Sequence, residues 1–229
     1  MALPLPADPL PDLLGDIHYT AAWLDAHPEV ASLAARLDGA HADIVGKATA
    51  RNRAADGIVR GQAKREVAFR AVGEALVSLE RKVDSHFDTD RKGYQAFFPV
   101  TPKAIIGSPI SDRASAVEAT LEAAAAKGLH KDVAPAAKKL VTAWDKYQGA
   151  VKNLVAAEKA YAKADAVVMA AKTKACATMR ETHGHLETKY PEDRVFVESF
   201  FRKRVKRVAG AGKKKAPAET AEVPVNQPG

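Results

Sequence analysis

The chain of 229 residues has little of what marks a secreted protein, a membrane protein or a common enzyme. Its one cysteine, Cys176, excludes an internal disulfide framework and fits a reducing compartment. One cysteine is also too few for a cysteine-based structural zinc site. Aromatic residues make up only 6%, so bulky core side chains are scarce. No run of 18 apolar residues occurs, so the sequence predicts no transmembrane segment. The opening stretch, residues 1–11, holds four prolines and no positively charged n-region. It does not read as a signal peptide, and a cytoplasmic location is the expectation.

Catalytic and cofactor motifs are equally sparse. The glycines at Gly46, Gly57, Gly61 and Gly73 are scattered, and Gly210-Ala-Gly212 has no strand before it and no helix after it, so no phosphate-cradling loop is present. Neither Glu-x-x-His nor His-Glu-x-x-His occurs, and His183 and His185, two apart, would leave a helix on nearly opposite sides. The sequence therefore predicts a non-enzymatic protein with no catalytic residues, no cofactor and no metal.

What the chain does have is alanine, helical periodicity and an echo of itself. Alanine favours helices that approach closely on small residues. Shifted by 103 residues without a gap, Val83–Phe98 falls on Leu186–Phe201; four of these sixteen pairs are identical and six more are close. The identities are Asp90-Arg91 with Asp193-Arg194 and Phe97-Phe98 with Phe200-Phe201. The same offset sets His27 on His130, Leu37 on Leu140 and Gly46 on Gly149. Such an echo indicates two copies of one structural unit. The predicted fold is all-α: an elongated helical bundle, each unit a short helix plus one long helix.

The expected organisation is a proline-rich lead-in (1–11), a first helical repeat (12–98), a junction (99–111), a second repeat (112–208) and a disordered basic tail (209–229). Leu13, Leu14, Ile17, Ala21 and Leu24 predict a first helix over about 11–26, closed at His27-Pro28. From Glu29 to His86 no proline occurs, and Ile58, Phe69, Val72, Leu76, Leu79 and Val83 keep helical spacing. Gly57 and Gly61 could split this stretch into a hairpin, but Ala160 and Ala164 stand at their places in the other copy and argue for one continuous helix. A short helix from Ser111 or Asp112 to about Lys127 and a second long helix from about Val133 to Lys189 follow. Pro191 is expected to open a last helix with Glu192 and Asp193 in its first turn. We expect the two long helices to pair as in a coiled coil, with Arg51, Gln62 and Arg65 facing Glu158 and Asp165. Their direction is left open, because a connection of over forty residues permits either.

Three constellations are candidates for function. Asp90, Arg91, Phe97 and Phe98, with their echoes Asp193, Arg194, Phe200 and Phe201, are possible interaction residues; structurally, each aspartate can cap a turn and the phenylalanines can plug a bundle end. Residues 202–229 carry eight lysines and arginines against two glutamates, so six of the seven net positive charges lie there. Arg202, Lys203, Arg204, Lys206, Arg207, Lys213, Lys214 and Lys215 are possible anion or nucleic-acid contacts, the first five on an amphipathic helix expected over 195–208. The recurring His27 and His130 either line equivalent corners or, brought together, hold a metal at the repeat interface. The function read from this pattern is a non-catalytic scaffold or interaction protein with a protein partner or self-association. The alternative is a nucleic-acid-associated protein using the 202–215 segment.

Overall fold

The computed structural model describes residues 3–87, 90–126 and 129–202, which form seven α-helices and no strand. Helix α1 covers Leu10–Asp25, α2 Ser32–Phe87, α3 Arg91–Phe97, α4 Pro102–Ile106, α5 Arg113–Ala125, α6 Ala134–Lys189 and α7 Arg194–Ser199. The chain is an elongated all-α bundle. Its frame is α2 against α6, each 56 residues long, or about 84 Å at 1.5 Å per residue. Corresponding helices open at Leu10 and Arg113, at Ser32 and Ala134, and at Arg91 and Arg194, so the element order recurs at the offset found in the sequence. At the same offset the place of α4 is 205–209, outside the described residues.

The two long helices run antiparallel. Going up α2, Arg36 meets Glu181, Arg51 meets Asp165, Gly61 meets Leu154 and Phe69 meets Tyr147. Helix α2 passes through Gly57 and Gly61 without a break. Gly61 is buried against α6: a Cβ there would lie 3.1 Å from Leu154 Cδ1 and 3.3 Å from Leu154 Cα. Glycine at this position permits the close approach, which compensates for its poor helix propensity.

Two separate cores sit at the ends of this pair. The medial lobe joins the second half of α2 (Phe69, Val72, Leu76, Leu79, Val83) to the first half of α6 (Leu140, Trp144, Tyr147), with Phe97, Phe98, Ile105 and Val117 from the α3–α5 segment. The terminal lobe joins the first half of α2 (Leu37, Ile44) to the second half of α6 (Ala175, Cys176, Met179, Leu186), with Leu13, Ile17 and Leu24 of α1 and Val197, Phe200 and Phe201. Between them lies a waist of two helices only. No residue is buried between Ala48 and Gly61 on α2, or between Leu154 and Val168 on α6.

Several local expectations change. The 99–111 junction contains α4, started by Pro102 and capped by Thr101, whose hydroxyl accepts from the Ala104 N–H at 3.3 Å. Helix α7 opens at Arg194 rather than Pro191, because Asp193 is its N-cap and not a first-turn residue. The amphipathic helix expected over 195–208 ends at Ser199: Phe200 N–H bonds back to Val197 and Glu198 carbonyls, a tightened last turn that sends Phe200 and Phe201 into the core. The seam is half as expected. Arg51 Nη1 reaches Asp165 Oδ1 at 3.5 Å, but Arg65 turns to Glu66 on its own helix. Among the described residues no helix is long and apolar enough to cross a membrane.

Candidate functional site

Asp90 and Asp193 do the same local work in the two lobes. Asp90 Oδ1 accepts from the Lys92 and Gly93 N–H groups, both at 3.1 Å, and Asp193 Oδ1 accepts from the Phe196 N–H at 2.9 Å. Each satisfies otherwise unpaired donors at the start of a short helix. Arg91 and Arg194 are exposed, and Arg194 Nε donates to Glu198 at 3.1 Å. Phe97, Phe98, Phe200 and Phe201 are all buried, the first pair in the medial core and the second in the terminal core. Around Phe200 stand Trp23, His27 and Phe196, with ring centroids 6.1, 5.0 and 5.1 Å away. The eight residues thus lie in two opposite lobes and form no common pocket.

The recurring histidines separate in the same way. His27 stacks on Trp23 in the terminal lobe, with Nδ1 2.7 Å from the Trp23 carbonyl oxygen. His130 stacks on His86 in the medial lobe at 4.4 Å. Antiparallel pairing of α2 and α6 drives the two corners to opposite ends, so the converging metal pair does not form. No cluster of three or more metal-ligating side chains occurs among the described residues. Of the basic segment, Arg202 is exposed beside Gly15 of α1. Lys203, Arg204, Lys206, Arg207, Lys213, Lys214 and Lys215, and with them the expected disordered tail, lie outside the described residues.

A concave site does form in the medial lobe, from residues that the sequence did not single out as functional. A groove of about 660 Å³ runs along α2 beneath α4 and the start of α5. Its apolar lining includes Val67, Phe69, Gly73, Val77 and Ile106; its charged rim is Glu66, Arg70, Glu74, Arg81 and Arg113. Arg113, the first residue of α5, lies over the Phe69 ring at 3.8 Å and reaches Glu66 at 3.4 Å. Burial disfavours the charged Glu66 carboxylate, but the Arg65 hydrogen bond and the Arg113 charge outweigh it and hold the carboxyl below its usual range. Arg113 gains its place only when α4 and α5 fold back on α2, which no local pattern announces. One signal was present: Cys176, fully buried in the terminal lobe, stands at the place of Gly73.

No family model, no curated protein and no solved structure matches this chain.

Proposed function

We propose that this protein is a non-catalytic helical scaffold that engages a protein partner, or a second copy of itself, along the sides of its long helix pair. The observation that carries this reading is the uncovered waist. There, two helices stand without a third layer, and Val59, Val155 and Val167 are exposed on or beside it. Exposed apolar side chains on a stretch that no third helix covers are surface a packing partner could remove from water. The recurring Asp90 and Asp193 are spent on caps and Phe97, Phe98, Phe200 and Phe201 on core, which supports the same architectural reading. A pull-down with mass spectrometry and light scattering, comparing the intact chain with Val59→Lys/Val155→Lys, tests it. Loss of a partner or of self-association with unchanged helicity is expected. An identical partner list and an identical mass for both proteins would sink it.

Charge favours a second reading. Six of the seven net positive charges lie in residues 202–229, which suits non-specific contact with a phosphate backbone. Binding to generic duplex DNA at low salt should then vanish on removing 202–229 and weaken steeply with added salt. Binding that survives the truncation would refute this account.

A further inference from the structure

The medial groove has the makings of a ligand site. Its volume of about 660 Å³ falls inside the range of roughly 300–1,000 Å³ common for small-molecule pockets. The floor is apolar, and its depth traces to Gly73: a Cβ there would already touch Ile106 at 3.4 Å. Three guanidinium groups, Arg70, Arg81 and Arg113, line it against two carboxylates. Arg70 and Arg81 make no ion pair among the described residues. They stand eleven residues apart on α2, within about 20° around the helix axis. Arg113 is the most committed of the three. Its side chain is 13% exposed, its Nε is buried with no hydrogen-bond partner, and its contacts with Glu66, at 3.4 and 3.5 Å, are at the long limit for hydrogen bonds.

We propose that this groove binds a small amphipathic carboxylate, its apolar body on Val67, Val77 and Ile106 and its carboxylate on Arg113. A guanidinium offers paired parallel donors that fit a carboxylate better than any other side chain does. A ligand carboxylate at ordinary hydrogen-bond length would displace the long Glu66 contacts, and Glu66 would keep Arg65, which donates to it at 2.9 Å. The Phe69 ring holds the guanidinium from beneath, so the anion approaches a preset cation. The inference is independent of the scaffold reading.

Titration calorimetry with octanoate tests the proposal, with octanol (the body without the charge) and acetate (the charge without the body) as controls. Saturable one-to-one binding of octanoate is expected, with octanol and acetate each weaker by roughly tenfold or more. Gly73→Leu, which fills the floor, and Arg113→Met, which removes the cation, should each weaken octanoate by a similar factor while circular dichroism shows unchanged helicity. If Arg113→Met loses helicity, Arg113→Lys, which keeps the charge but not the paired donors, replaces it. If Gly73→Leu does, Ile106→Asp on the exposed lining replaces it; weaker octanoate binding is again expected. The proposal is overturned by absence of saturable octanoate binding, by octanol or acetate binding as well as octanoate, or by folded variants that bind octanoate as the parent does.

Discussion

Tyr94 shows how much a single side chain depends on its surroundings here. Its hydroxyl donates to Glu80 Oε1 at 2.8 Å. Burial, reinforced by that hydrogen bond and by the Glu80 charge, pushes the phenol up to about 12. A group whose folded value is raised adds stability that is complete below its unfolded value, near 10, and is lost as pH climbs towards 12. Tyr94→Phe should therefore show a shallower fall in melting temperature between about pH 10 and 12 than the parent, measured in parallel thermal melts. Residue roles of this local kind are the ones the sequence conveys well. Asp90 and Asp193 cap because an aspartate before a short apolar helix has few other things to do. Phe97, Phe98, Phe200 and Phe201 are core because aromatics are too rare in this chain to leave outside. Arg113 could not be read the same way, since its partners Phe69 and Glu66 lie more than forty residues away in the chain.

At the scale of elements, the long helices were legible from the lack of proline between Glu29 and His86, from helical spacing over part of each, and from Ala160 and Ala164 at the places of Gly57 and Gly61. The glycines within α2 take different meanings from their neighbours. A Cβ at Gly57 would meet only Ala157 Cβ, at the ordinary distance of 3.9 Å, whereas Gly61 is pressed against Leu154. Gly57→Ala should raise stability by about 0.5–1 kcal/mol through helix propensity. Gly61→Leu should lower it by about 1–3 kcal/mol by prising the helices apart. Urea unfolding of both variants checks the pair of values, and equal effects would contradict the close approach at Gly61. The direction of α6 was not legible, because it is fixed by which half of α2 the α3–α5 segment folds against. The expected charge seam conveyed little for a related reason. Arg51 and Asp165 are partly exposed at 3.5 Å, and such pairs contribute only about 0–1 kcal/mol, too little to set register.

At the scale of the whole molecule, two lobes joined by a bare helix pair imply uneven stability along one continuous frame. Amide hydrogen exchange should be faster over residues 49–60 and 155–167 than over 72–83 and 171–186, where the same helices lie in a core, because opening the waist exposes little apolar surface. Uniform protection along α2 would contradict that division. The antiparallel frame also decides the order in which the molecule can be finished. The medial core is drawn from one unbroken stretch, 69–147, whereas the terminal core needs 13–44 together with 171–201. During synthesis the medial lobe has all its parts once α6 is part-made. Helix α1 can meanwhile pack only on its neighbour α2, and the α6 side of that core stays open, since closing the longer loop spans more than a hundred residues. Phe200 and Phe201, which leave the ribosome after the other parts of that core, thus complete the housing of α1, and a chain stopped short of them would present a finished lobe beside an open one.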